Sequence, residues 1–110
     1  MAKGEFLGEF EIYVMLALAH LRAEAYGVTI RQEIERRTGR AVAIGAVYAT
    51  LSRLQEKGLV DHERSAPLPV QGGRARKYFS LTADGERALA HAASMLTRMM
   101  QGWGPRLEPR

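Results

Sequence analysis

The chain has 110 residues, 46% of them hydrophobic and 25% charged, with a formal net charge of +4 and an isoelectric point near 9.9. That is enough for one domain burying roughly two-thirds of its unfolded surface around a single core, and the composition excludes an intrinsically disordered chain. The lack of cysteine excludes disulfides, thiolate metal sites and a cysteine nucleophile, while the modest positive excess leans towards a polyanionic partner without defining one.

The start, Met-Ala-Lys-Gly-Glu-Phe, is no secretory signal, because an acid follows the lysine and no small-residue site closes an apolar stretch. The longest apolar run, Ile12 to Ala19, is far short of the ~20 residues that cross a bilayer. A cytoplasmic protein with no membrane association is expected. Leu7, Phe10, Val14, Ala17, Leu18 and Leu21 recur at steps of three and four, predicting a first helix from Gly8 to about Ala23. Ile12, Tyr13, Met15 and Leu16 make its other sides apolar too. Such a helix is sandwiched between partners, either as the centre of its own core or shared with a second copy of the chain.

After a break at Ala25-Tyr26-Gly27, a second helix turns Ile30 and Ile34 inward and Arg31, Glu33, Glu35, Arg36 and Arg37 outward. Thr38-Gly39 ends it, glycine being suited to the left-handed closing turn. The linker Arg40 to Ala43 leads into a third helix, giving a helix-turn-helix with a lengthened turn. On that helix Val47, Leu51 and Leu54 share one face, with Ile44 at its edge, whereas Gly45, Ala49, Ser52 and Arg53 occupy the other. A small, polar outer face lets the backbone approach base edges while Ser52 and Arg53 supply donors. Tyr48 lies on the boundary: either a half-buried core tyrosine, or a ring packed on the second helix with its hydroxyl reaching a phosphate. Arg53 is equally open to a solvated or ion-paired role.

Leu59 to Arg64 reads as a strand, Ser65 to Gly73 as a loop carrying two prolines and a Gly-Gly pair, and Ala75 to Leu81 as the returning strand. No acid stands between Glu63 and Asp84, while Arg64, Arg74, Arg76 and Lys77 surround the hairpin. This favours phosphate contact, with the minor groove as a further option for an arginine at the tip; a merely solvated ribbon is the alternative. Thr82 is a good N-cap, and Asp84 and Glu86 place negative charge in the first turn of a last helix. Leu89, Ala92, Leu96, Met99 and Trp103 form a seam along it. The seam is expected to pack against a second subunit, with Leu7, Phe10 and Val14 of the first helix sharing the contact, or to fold back on its own first helix; neither excludes the other. The fold class expected is mainly α with a small β-hairpin. Residues 1–81 would form the helix-turn-helix unit and 82–104 the C-terminal helix of the same compact domain, with 105–110 as a flexible tail.

Gly45-Ala-Val-Tyr-Ala-Thr-Leu-Ser-Arg-Leu-Gln-Glu-Lys-Gly-Leu59 followed by Arg76-Lys-Tyr-Phe-Ser-Leu-Thr-Ala-Asp-Gly85 resembles the signature of the PadR-like family of bacterial transcriptional regulators. The likeness runs from about Leu7 to Leu96; Gln55 and Phe79 replace the family's frequent glutamate and second tyrosine. It implies a winged helix-turn-helix repressor, homodimeric through its C-terminal helix, that binds a palindromic operator in double-stranded DNA. By position, Tyr48, Ala49, Ser52 and Arg53 would be recognition-helix contacts, and Arg64, Arg74, Arg76 and Lys77 wing contacts. The family's short branch, with a single C-terminal helix, often takes flat aromatic effectors between subunits; Met15, Met99 and Trp103 would face such a ligand, and Trp103 is otherwise a residue closing the dimer seam.

No cofactor or metal is expected. His20, His62 and His91 stand on different elements, and Asp61 and Glu63, at the edge of one strand, do not make a paired carboxylate site. An enzyme therefore has no residues to stand on. The rival that keeps the same core is a winged-helix module for protein contact, which would not require the cationic wing.

Overall fold

In a computed structural model, residues 6–64 and 76–104 are described. Helix α1 (Glu9–Leu21) runs through a short 3-10 turn (Arg22–Glu24) to α2 (Gly27–Thr38) and α3 (Ile44–Glu56). An antiparallel pair, β1 (Val60–Arg64) and β2 (Lys77–Leu81), leads into α4 (Ala83–Met100). The strands pair in register from Val60 opposite Leu81 to Arg64 opposite Lys77.

Each boundary has a local cause. The backbone N–H of Gly8 donates to Glu11 Oε1 (2.9 Å) as α1 begins, and that of Tyr26 donates to Thr29 Oγ1 (3.0 Å) as α2 begins. Side-chain oxygens thereby satisfy N–H groups that the helix cannot. Gly39 closes α2 with φ 73°, its N–H reaching the Glu35 carbonyl at 2.8 Å, in the left-handed region that glycine enters without steric cost. Val42 N–H then donates to Glu35 Oε2 (2.8 Å), tying the linker back onto α2. Thr82 caps α4 as expected, accepting from Gly85 N–H (2.9 Å) while donating to the Gly58 carbonyl (2.7 Å).

The core gathers around α1, whose Val14, Met15, Ala17 and Leu18 are buried and which packs on α2, α3, β2 and α4. Ile30 and Ile34 of α2, Val47, Leu51 and Leu54 of α3, Leu59, Val60 and Phe79 of the hairpin and Ala88 and Leu89 of α4 complete it. α1 is therefore the centre of its own protomer. Only the first half of α4 folds back on it: Gly85, Ala88 and Leu89 are buried, whereas Leu96, Met99 and Met100 are exposed.

Residues expected in the dimer and effector sets fall in different places. Val14 and Met15 have no exposed surface within the protomer, because α2, α3, β2 and α4 surround the helix that carries them. Leu89 is likewise taken up by the core. Phe10 lines an opening with Tyr13, Ile34, Thr38 and Val42, beside the α2–α3 linker and away from α4. Leu7 does lie against α4, bordering a groove with Ala88, Ala92, Met95, Leu96 and Met99.

Candidate nucleic-acid interface

Burial of Val47, Leu51 and Leu54 turns the opposite side of α3 outward, where Tyr48, Ala49, Ser52 and Arg53 are all exposed. Thr50, whose apolar methyl and hydroxyl were not singled out in the sequence, is buried and accepts a hydrogen bond from the Arg53 guanidinium at 3.1 Å. Arg53 Nε also stands 3.8 Å from Glu11 Oε2 of α1, so this arginine is exposed along its length but ion-paired within the protomer.

Tyr48 packs on the second helix. Its ring lies against Gly27 at the start of α2, so close that a Cβ on Gly27 would fall 2.2 Å from the tyrosine hydroxyl oxygen and 2.4 Å from Cζ. The tyrosine is nonetheless 45% exposed. One ring edge packs on the second helix while the other stays in solvent. A glycine beginning a helix was the available sign of this close approach, but its partner could not be read from local sequence.

The hairpin sits beside this helix. Leu59 N–H reaches the Leu54 carbonyl (2.9 Å) across the tight exit from α3, and Phe79 N–H donates to the Ala25 carbonyl (2.8 Å), anchoring β2 to the turn before α2. Gln55 Nε2 and His62 Nδ1, 2.7 Å apart, bridge α3 to β1. Arg64 is exposed at the end of β1, and Lys77 opposite it is half-buried. Arg74, expected as a wing contact, lies outside the described residues.

Arg76, expected as a wing contact, is engaged within the protomer. Its guanidinium stacks 4.1 Å from the Tyr26 ring centroid, and Tyr26 meets Tyr78 edge to face at 5.6 Å. A hydrogen bond with Tyr78 raises the guanidinium pKa, burial opposes that, and the nearby Tyr26 and Glu24 add to it. The side chain is thus a clasp between hairpin and α2. The acid-free stretch seen in the sequence does not persist in space either, since Glu63 is opposite Tyr78 and Glu24 approaches from the 3-10 turn.

Two acids organise the cations around the helix pair: Glu11, which the sequence did not single out, and Glu33, expected to face outward but buried because Arg36 and Arg37 fold over it. Burial acts to raise the pKa of Glu11, but the Gly8 N–H, then Lys57 Nζ at 3.0 Å, then Arg53 outweigh it, and the carboxyl titrates below its usual 4.5. Glu33 is buried and gripped by Arg37 and Arg36, whose hydrogen bonds lower its pKa in the same direction. An acid three residues into a helix hinted at the cap made by Glu11, whereas its partners in and at the end of α3 had no sequence sign. Among the described residues no group of three or more His, Asp or Glu side chains could hold a metal, and no helix is long and apolar enough to cross a membrane.

Three helices with the third turned outward, flanked by a two-stranded hairpin and followed by a long C-terminal helix, define a winged helix-turn-helix. The model of the PadR-like family of transcriptional regulators matches residues 15–91, and the chain belongs to that family. A PadR-like transcription factor from Bacteroides fragilis is 28% identical, with 82% of each chain covered and a TM-score of 0.67. A PadR family transcription regulator from Clostridium difficile R20291 is 25% identical over 84% of this chain and 95% of its own, with a TM-score of 0.65. A third, from Eggerthella lenta, is 28% identical over 81% of this chain and 75% of its own, with a TM-score of 0.64. Among curated proteins no relative matches. The family is one of transcription regulators rather than enzymes.

Proposed function

We propose that the protein is a homodimeric transcriptional repressor that binds a palindromic operator in double-stranded DNA and is released from it by a small aromatic compound. The observation that carries this reading is the outer face of α3, where Tyr48, Ala49, Ser52 and Arg53 are exposed on a helix fixed by three buried apolar residues. A rigid helix with small and donor-bearing side chains outward suits entry into a major groove, with base edges read by Ser52 and Arg53 and phosphates gripped at the sides. Arg64 and Lys77, joined by Arg74, supply the flanking grip; Arg76 holds the hairpin in place for them.

Support for two copies comes from the second half of α4. Leu96, Met99, Met100 and Trp103 are 52%, 80%, 54% and 72% exposed, and Phe6 is 88% exposed beside them. A cluster of large apolar side chains left in water by its own protomer is the mark of an association surface. Ala92 and Leu7 border the same surface. The groove between the Phe6-Leu7 segment and α4, about 390 Å³, is apolar enough for a flat aromatic ring, with Met99 on its wall and Trp103 beyond the end of α4.

Footprinting on the DNA upstream of the protein's own gene, with sedimentation in parallel, tests the whole reading. A dimer should protect two equal half-sites ~10 base pairs apart centre to centre, or a multiple of that spacing. Protection should weaken when the effective aromatic compound is added. Replacing Arg64, Arg74 and Lys77 by glutamine should reduce the dependence of log affinity on log salt by roughly one unit for each phosphate no longer neutralised. Unchanged affinity in that triple variant would instead favour a module for protein contact.

A further inference from the structure

We propose that Glu11 is a positioning residue for the nucleic-acid interface: as an internal counter-charge it holds Arg53 of α3 and Lys57 at the helix's C-terminal cap and sets how much of their charge a phosphate can claim. The inference rests on α3 being the DNA-contacting helix. Glu11 belongs to α1, and its side chain is only 10% exposed. Oε1 accepts from Gly8 N–H at 2.9 Å, which fixes the carboxylate in orientation. Oε2 accepts from Lys57 Nζ at 3.0 Å and faces Arg53 Nε at 3.8 Å.

Two cations, one in the last turn of α3 and one at its C-terminal cap, therefore converge on one oxygen of a carboxylate that cannot rotate away without losing its backbone bond. The Lys57 side chain is 27% exposed and that of Arg53 55%, so the lysine side chain is drawn in while the arginine remains at the rim. Buried charge pairs exclude water and keep their attraction in salt better than surface pairs do. A phosphate approaching the C-terminal half of α3 thus competes with Glu11 for both groups. The second tie on Arg53, to Thr50 Oγ1 at 3.1 Å, keeps its guanidinium close to the helix. The consequence is a recognition helix with its charge tempered from behind, which lowers indiscriminate phosphate binding relative to binding where Ser52 and Arg53 meet their bases.

The same carboxylate connects two surfaces. The Gly8 N–H that orients it follows directly on Phe6 and Leu7, which line the groove against α4. A shift of that segment reaches Arg53 and Lys57 through a single side chain.

The test compares wild type with Glu11→Gln, which keeps an oxygen for Gly8 and removes the charge, and Glu11→Asp, which keeps the charge. Affinity for a nonspecific duplex is measured across a salt series by fluorescence anisotropy. Glu11→Gln should bind more tightly at low salt, with a slope steeper by roughly one unit, so that its advantage over wild type shrinks about fourfold between about 50 and 200 mM salt. Glu11→Asp should retain the wild-type slope. A folded Glu11→Gln protein with the wild-type slope, or with weaker binding at unchanged slope, overturns the proposal and leaves Glu11 a purely structural residue. Should Glu11→Gln not fold, the side-chain carboxyl resonance of Glu11 in wild type decides by ¹³C NMR. It should move when duplex draws Lys57 and Arg53 away, and a stationary resonance under saturating duplex overturns the proposal. If wild type shows no salt-dependent binding to any duplex, the DNA reading fails and this inference falls with it; if wild type binds and only the slope comparison fails, the DNA reading survives.

Discussion

Replacing Gly85 by alanine should destabilise the protein although the same change favours most helices. Gly85 is in the first turn of α4, where an alanine gains at most about 1 kcal/mol in helix propensity. Here a Cβ would lie 2.0 Å from the Leu59 carbonyl oxygen and 3.0 Å from its carbon, and neither atom is the mobile end of a side chain. Leu59 is buried and its carbonyl accepts the Thr82 N–H at 3.0 Å, while Thr82 Oγ1 caps Gly85 and holds the Gly58 carbonyl. Relief therefore means moving α4 off the end of β1, losing the cap, worth about 1 kcal/mol, and straining a close-packed junction by about 1–3 kcal/mol. With the propensity gain set against these losses, the net expectation is a loss of about 1–3 kcal/mol, a substantial part of the 5–15 kcal/mol typical of a domain. Urea denaturation at fixed protein concentration, followed by circular dichroism, should show the midpoint falling by more than about 1 M. Gly45→Ala is the internal control: nothing lies within 4 Å of its added Cβ, so stability should be unchanged or rise by up to about 1 kcal/mol. A Gly85→Ala protein as stable as wild type would refute the steric reasoning.

Gly27→Ala drives a Cβ into Tyr48 at 2.2 Å but displaces a half-exposed ring, so in urea melts Gly27→Ala combined with Tyr48→Ala should be more stable than the two single losses add up to by about 0.5–2 kcal/mol; strict additivity would count against the contact. Neighbours on α3 should separate cleanly: Leu51→Ala, in the core, should cost about 2–5 kcal/mol in denaturation, whereas exposed Ser52→Ala should change stability by less than about 0.5 kcal/mol while weakening operator binding in anisotropy titrations. The carboxyl pKa values of Glu11 and Glu33 are lowered on folding from the usual 4.5, so their contribution is present above that value and lost as pH falls through the lower folded values. Urea midpoints from about pH 6 down to pH 3 should drop below about pH 4.5, and less steeply in Glu11→Gln and Glu33→Gln; identical acid limbs would contradict the assignment.

Much of the fold was legible because its causes are local. Apolar steps of three and four marked α1 to α4, Gly39 marked the end of α2, Thr82 the start of α4, and the inward set Val47, Leu51 and Leu54 is buried in the structure, joined there by Thr50. The same spacing left α4 undivided, although its first half faces α1 and its second half faces solvent. Periodicity records which residues share a stripe and not how far a neighbouring helix extends along it. For α1 it recorded apolarity on several sides but not which of its residues four surrounding elements would cover completely.

The amino-acid order alone determined the succession of elements and the outward face of α3, since caps, turns and helical stripes depend on residues within a turn or two of one another. Charge was decided only in three dimensions. Arg76 stood in an acid-free stretch and was assigned to phosphate, yet it lies on the Tyr26 ring. Glu11, a cap on α1, reaches Lys57 across 46 positions of chain. A long side chain takes the partner that packing brings within about 4 Å, and that neighbour is set by how helices and hairpin meet, not by sequence proximity.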